Sequence, residues 1–353
     1  LLWEQPIDEW FNHLHPLKSG PASLPRRLVA DDTVVYTTLG IRAPVSVLDA
    51  ATGKIVRTLA GTEQTQEILL SDGLLFLVRG TPDGTVLTAV HPEAGKMLWE
   101  RKATIASLSL AADQHKVVFF DGAKVIALNR DDGTELWASD GLGRKVRGGK
   151  FASWTDRQGP RLILSGDTVV VSPSDAIFAF AADSGKQLWS APHPRSGYAS
   201  PRDLFVIDGL VWCGETAGAP SSGRMIGYDL LTGEVKRSFL PDKDVVWLSH
   251  HRCHISKATQ NYIVTGRMGL EFVDLKDETW QENHWIRGGC LYGAMPCNGL
   301  LYAPPHACAC YFEAKQHGFV AMTGKSKGGH SVEEPRLLEK GRLEKGPAYS
   351  EVV

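Results

Sequence analysis

The sequence predicts an all-β protein, a β-propeller of four-stranded antiparallel blades. Three observations carry that expectation: a glycine turn that recurs about every 45 residues, a second tight-turn signal inside most recurrences, and a turn-rich, strand-forming composition. The chain has 353 residues, with 36 glycines, 19 prolines, 10 tryptophans and 43% hydrophobic side chains. That length exceeds what one ordinary core supports, and the apolar fraction excludes global disorder, so a repetitive architecture is favoured over a single compact core.

Charge narrows the partners. Thirty-eight basic side chains against 40 acidic ones leave a formal charge of −2, without the basic excess that nucleic acid or an anionic lipid surface would require. No apolar run approaches the roughly eighteen residues that span a bilayer, so no membrane span is expected. Residues 1–4 do not read as a signal peptide.

The repeat is visible once the glycine turns are aligned. Val47-Leu-Asp-Ala-Ala-Thr-Gly53 is followed by Ala89-Val-His-Pro-Glu-Ala-Gly95-Lys-Met-Leu-Trp99 and Ala127-Leu-Asn-Arg-Asp-Asp-Gly133-Thr-Glu-Leu-Trp137. Ala179-Phe-Ala-Ala-Asp-Ser-Gly185-Lys-Gln-Leu-Trp189 and Gly227-Tyr-Asp-Leu-Leu-Thr-Gly233 continue it. Successive turn glycines lie 42, 38, 52 and 48 positions apart, and the 91 positions from Gly233 to Gly324 hold a sixth unit whose turn is at 274–277. Seven units result.

About twenty residues before each of several glycine turns stands an Asp-Gly or Asn-Gly pair: Asp72-Gly73, Asp208-Gly209 and Asn298-Gly299. Such pairs accept the positive φ angles that a two-residue hairpin demands. Each unit therefore reads strand A, tight turn, strand B, variable loop, strand C, glycine turn, strand D. The opening residues Leu1-Leu2-Trp3-Glu4 match Met97-Leu-Trp99-Glu100 and are expected to supply the outer D strand of the last blade. A seven-bladed ring follows if the chain is complete, and eight blades if it is cut from a longer one. Residues 1–324 form the propeller in this reading, and the charged segment 325–353 a tail or linker.

The pattern Ala-x-(Asp/Asn)-x-x-x-Gly-x-x-x-Trp, complete at 127–137 and nearly so at 89–99 and 179–189, resembles the tryptophan-docking motif of the quinoprotein-like, or pyrroloquinoline quinone (PQQ) repeat, propellers. In that family the indole is wedged between neighbouring blades, a use suited to a large ring with one polar edge. The late segment His251-Arg-Cys-His254, Arg287-Gly-Gly-Cys290 and Tyr302-Ala-Pro-Pro-His306-Ala-Cys-Ala-Cys310 also resembles a subgroup of PQQ-like repeat proteins met in bacteria. The resemblance implies a periplasmic or otherwise extracytoplasmic protein whose signal peptide is not in this chain. It does not extend to quinone chemistry: the adjacent Cys-Cys pair of the quinoprotein dehydrogenases is missing, as is any Cys-x-x-Cys-His haem attachment, so PQQ is not expected.

Topology assigns the chemistry to one face. In a four-stranded blade the A–B and C–D turns leave on one side of the disc, and the B–C loops and D–A crossovers on the other. The glycine turns occupy the first side. Residues 144–159, 193–198, 215–224, 250–254, 284–290 and 306–317 all fall on the second. Strand alternation gives His306, Cys308 and Cys310 one direction, and pairs His250 with His254. Imidazole and thiolate are ligands for zinc and copper, so His250, Cys253, His254, His306, Cys308 and Cys310 are candidate ligands of a transition metal. The plainer alternative makes the cysteines buried small hydrophobes or cross-strand staples, with Cys213 and Cys297 simply packed.

Three functions fit this face. The first is a propeller that binds a small molecule or carbohydrate through the His/Cys-rich loops. The second is a polysaccharide lyase-like enzyme, which needs a cation beside the uronate carboxylate and a His or Tyr as base and acid. Tyr198, His251, Arg252, His254 and His306 are its catalytic candidates, with Arg195, Arg287, Tyr292 and Lys315 nearby and Trp285 as a stacking platform. The third is a protein-interaction scaffold resembling the outer-membrane assembly propellers, using face loops without a titrating site.

Overall fold

The computed structural model describes residues 3–7, 24–142, 160–173, 175–194, 202–216, 222–241, 254–266, 269–289, 292–305, 316 and 318–324. Seven antiparallel sheets follow one another along the chain and close into a ring, a seven-bladed β-propeller. Among the described residues the one helical piece is a single 3-10 turn, Leu24–Arg27. Blades 1 to 6 span residues 28–59, 65–102, 111–138, 161–192, 205–239 and 257–283, each four-stranded in the order A-B-C-D. Blade 7, residues 295–323, has three paired strands.

The tight-turn reading holds at the backbone level. Asp72 and Gly73, Asp208 and Gly209, and Asn298 and Gly299 all have positive φ, between 42° and 76°, the signature of a type I′ hairpin. The glycine turns share a different construction. Asp49 Oδ1 accepts from the Thr52 N–H at 2.7 Å while the Gly53 N–H returns to the Asp49 carbonyl at 2.8 Å. Asp229, Thr232 and Gly233 repeat the arrangement, which explains why the repeat wants an acid four residues before its glycine.

Inner strands begin at the channel and outer strands face solvent. The A strands Leu28–Ala30, Thr65–Ser71, Ala111–Ala112 and Arg161–Ser165 touch in succession around the axis, as do Lys257–Ala258 and Met295–Cys297. The core is divided accordingly into wedges, each filled by two consecutive blades. Tyr36, Val45 and Leu59 of blade 1 pack on Ile68, Leu75 and Leu77 of blade 2, and equivalent wedges lie at the next five seams. Each fully buried side chain there contributes on the order of 1.5–3 kcal/mol, so the seams between sheets are the principal source of stability.

Tryptophans lock the seams. Trp99 of blade 2 donates its indole N–H to the Arg130 carbonyl of blade 3 at 2.8 Å, Trp137 to Ala182 at 3.0 Å, and Trp189 to Leu230 at 2.9 Å. Each ring covers the next blade's turn glycine: a Cβ on Gly133, Gly185 or Gly233 would fall 2.4–2.7 Å from it. A bulge at the same place in the C–D pairing of blades 1 to 5 sets the facing of the docking side chain.

The first and last blades depart from the sequence reading in one detail. Residues 3–7 are not in a ladder, yet Trp3 donates to the Ala50 carbonyl at 2.9 Å and lies on Gly53. Its tryptophan thus makes on the turn of blade 1 the contact that Trp99, Trp137 and Trp189 make on the turn of the following blade, with Gln5 adding a bond to the Gly53 carbonyl at 2.6 Å. Residues 325–353 lie outside the described residues.

Two seams use arginine. Arg57 and Arg237 stand four residues after Gly53 and Gly233, where blades 2, 3 and 4 place tryptophan. Arg57 donates to the Pro92 carbonyl at 3.3 Å and also to that of Glu93, over Gly95. Arg237 reaches Glu278 at 2.6 Å and the Lys276 carbonyl at 3.2 Å. Glu278 itself occupies the left-handed position of the missing turn glycine, at φ 57°. Blade 6 also lacks the bulge, and its Trp280 packs backwards into the wedge with blade 5. A one-residue change of register reverses the direction of every side chain beyond it.

Candidate functional site

The A strands enter the ring from the face that carries the B–C and D–A loops, so their first residues encircle one mouth of the axial channel. Charged side chains gather there. Arg26, just before the first A strand, pairs with Glu67 of the second at 3.5 Å. Burial pushes the Glu67 carboxyl up, against the opposing pull of Arg26, the Leu108 N–H and the more distant Arg161. Arg161 and Lys257 open the A strands of blades 4 and 6, and Asp203 precedes that of blade 5. These three, with Ser256, Phe205 and Met295, line a half-open cavity of about 340 Å3.

A second polar group anchors the cavity wall. His193, at the end of blade 4's outer strand, is 3% exposed. Its Nε2–H donates to the Asp203 carbonyl at 2.8 Å, which leaves Nδ1 to accept from the Ser172 hydroxyl at 2.5 Å. Burial drives its pKa down to about 4, with Arg202 adding to the fall, so the ring is neutral at pH 7. The Asp203 carboxylate accepts from the Ser256 N–H at 3.3 Å. Ser172 and His193 adjoin as a nucleophile and base would, but both are buried and the imidazole faces a carbonyl rather than a carboxylate. The pair positions Asp203 and has no route to a substrate.

Of the residues singled out in the sequence, His254 stands just before the sixth A strand and is buried, at 2% exposure. Its ring is walled in by Gly266 and Gly293, where an added Cβ would come within 2.2 and 2.8 Å of it, and its Nδ1 is 3.2 Å from the Ile255 carbonyl. Tyr198, His250, His251, Arg252, Cys253, His306, Cys308 and Cys310 lie outside the described residues, as do Arg195, Cys290 and Lys315. No group of three or more metal-ligating side chains occurs among the described residues.

Two expectations are corrected. Arg287 is 1% exposed and is a buried cation, not a surface clamp for a uronate. Cys297 is exposed, because the strand that ends on it puts its side chain outside the wedge, whereas Cys213 is packed as expected with its thiol pushed far up by burial. Trp285 does face solvent, at 56% exposure. Arg161, Asp203 and Lys257 were missed, since each is a single charge at a strand start without a spacing of its own.

Comparison with known proteins places the repeat. Residues 1–239 match the family model described as outer membrane protein assembly factor BamB. Among solved structures, BamB from Moraxella catarrhalis is 15% identical at a TM-score of 0.48, covering 79% of this chain and 92% of that one. The β-propeller domain of Cps50 (Swd1) from Myceliophteria thermophila is 12% identical at 0.48, with the same coverages of 79% and 92%. The computationally designed Ika8 protein is 18% identical at 0.37, covering 72% and 81%. No curated protein matches the sequence. No helix among the described residues is long and apolar enough to cross a membrane. With its docking tryptophans seated on successive turn glycines and the family match running through the first five blades, the chain belongs to the BamB family of PQQ-like repeat propellers.

Proposed function

We propose that this chain is an extracytoplasmic interaction propeller, a rigid ring that presents its B–C and D–A loop face to a protein partner. The observation that carries this reading is the contrast between the two faces. The glycine-turn side consists of short, near-identical reversals such as 49–54, 129–134 and 229–234, which offer nothing distinctive to recognise. The other side gathers the longer connections around a charged channel mouth, and loops on a rigid scaffold are where binding is usually built. The description of the family as an outer membrane assembly factor supports a partner in the cell envelope.

Site-specific photo-crosslinking in the native envelope tests it. A photoreactive residue in place of Arg224, exposed at the end of a B–C loop, should give a discrete adduct with an envelope protein identifiable by mass spectrometry. The same residue in place of Asp131, exposed on a glycine turn, should not. Equal labelling from both positions, or from neither, removes the face assignment.

A further inference from the structure

The docking position has a fixed address in the pairing of strands C and D. Arg57, Trp99, Trp137, Trp189 and Arg237 each lie opposite the C-strand residue two places before its end: Val47, Ala89, Ala127, Ala179 and Gly227. The acceptor is equally fixed, being the carbonyl directly after the C strand of the next blade. Pro92, Arg130, Ala182 and Leu230 accept there from Arg57, Trp99, Trp137 and Trp189. In blade 6 the docking position falls to Gln281, opposite Phe272, because Trp280 is turned back into the wedge with blade 5. The acceptor position in blade 7 falls to Gly324, directly after the strand Val320–Thr323. Glutamine is slimmer than an indole, and Gln281 and Gly324 both line a half-open cavity of about 600 Å3 at this seam.

The walls choose among ligands. Tyr262 and Phe272 of blade 6, whose rings meet edge to face at 6.2 Å, and Leu301 and Met322 of blade 7 make the lining largely apolar. Trp285, 56% exposed, stands beside them. The polar residues among them, such as Gln281, Asn283 and Thr259, are neutral amides and hydroxyls, and no Asp, Glu, Lys, Arg or His is among the described residues that line the cavity. An ion would therefore shed its water without meeting a counter-charge, whereas a flat uncharged ring meets the surroundings that hold an indole elsewhere in the ring of blades. The volume lies within the roughly 300–1,000 Å3 of small-molecule sites. We propose that the seam between blades 6 and 7 binds a small, uncharged heteroaromatic molecule of the indole class, which packs against Phe272, Leu301 and Met322 and donates its ring N–H to the Gly324 carbonyl. That carbonyl accepts from the Thr323 hydroxyl at 3.4 Å and has a second lone pair for the ligand. The site stands independently of the interaction role, since the cavity does not depend on a macromolecular partner.

Calorimetry on the full chain with indole, 1-methylindole and N-acetyltryptophanamide tests the proposal. Indole should bind saturably at one site per chain, and 1-methylindole, which lacks the donor, at least fivefold more weakly. Gln281→Trp supplies the docking side chain from within the chain, so it should weaken indole at least tenfold while the folded state is kept, as followed by circular dichroism. No saturable binding of indole, equal binding of 1-methylindole, or an unchanged affinity in a folded Gln281→Trp protein overturns it. N-acetyltryptophanamide bound tenfold more tightly than indole would assign the seat to a tryptophan of a partner and overturn the small-molecule assignment. Should Gln281→Trp not fold, the comparison of indole with 1-methylindole on the parent chain decides alone.

Discussion

The indole of Trp3 lies on the bare α-carbon of Gly53, fifty residues away in the sequence, so closely that a Cβ there would fall 2.4 Å from the ring. Trp99 and Gly133, Trp137 and Gly185, and Trp189 and Gly233 repeat the relationship, with each indole N–H bonded to a carbonyl three residues before the glycine. The N-terminal segment is thereby fastened to blade 1 by the same lock that joins blades in mid-chain.

Replacing Trp3 with alanine should destabilise the protein by about 2–3 kcal/mol, somewhat less than for a fully buried tryptophan, because the ring is half-exposed. Guanidinium denaturation followed by tryptophan-independent circular dichroism measures it. A shift within error of zero would mean that blade 1 holds its place without the N-terminal lock.

Turn glycines should divide into two classes on substitution by alanine. Gly73 and Gly133 have nearly the same φ, 76° and 72°, but a Cβ at Gly73 meets nothing within 4 Å whereas one at Gly133 meets the Trp99 ring at 2.7 Å. Gly73→Ala should therefore cost only the left-handed backbone penalty, about 1 kcal/mol. Gly133→Ala adds displacement of a buried indole and should exceed it by about 2 kcal/mol or more. Parallel unfolding curves of the two variants give the comparison, and equal losses would contradict the close-packing account.

Legibility in the sequence followed the same division. Glycine at a fixed interval marks a backbone conformation that few other residues tolerate, so the seven repeat units and the hairpins at Asp72-Gly73 and Asn298-Gly299 were readable, while the choice between seven and eight blades was settled only by the structure. The first and fifth glycine turns, 47–53 and 227–233, lack the tryptophan, and only the structure shows that Arg57 and Arg237 dock there in its place. Arg161, Asp203 and Lys257 were not readable. They are brought together by ring closure over almost a hundred residues of sequence, and nothing local distinguishes a charge at the mouth of the channel from one on an outer strand.

The arginine docks should be weaker and more salt-sensitive than the indole ones. Arg237 and Glu278 pair at 2.6 Å with side chains 32% and 40% exposed, so their mutual coupling in a double-mutant cycle should be below about 1 kcal/mol and shrink in 1 M salt. Arg237→Ala should still cost more than Glu278→Ala. The guanidinium also bonds the Lys276 carbonyl and lies 5.8 Å from the centroid of Trp212, contacts that Glu278 does not make.

His193 sets the last expectation, a loss of stability in a defined pH range. Its pKa is about 4 in the folded protein, against 6.5 for an ordinary histidine, because the buried ring resists the charge. Between those values the unfolded chain binds a proton that the folded one refuses, so the stabilisation is complete above pH 6.5 and declines as the pH falls towards 4. The full difference is worth on the order of 3 kcal/mol. Below pH 4 both states are protonated and this contribution becomes flat, while carboxylates such as Asp113, held below their usual range by the His115 and Lys116 N–H groups despite some burial, begin to lose theirs. Stability measured by urea unfolding from pH 7.5 to 4.5 should therefore fall with a slope approaching one proton. His193→Asn keeps a donor and an acceptor but removes the titration, so it should flatten that slope even if it lowers stability throughout. An unchanged slope in the variant would assign the loss to other groups and contradict the neutral, doubly bonded imidazole between Ser172 and Asp203.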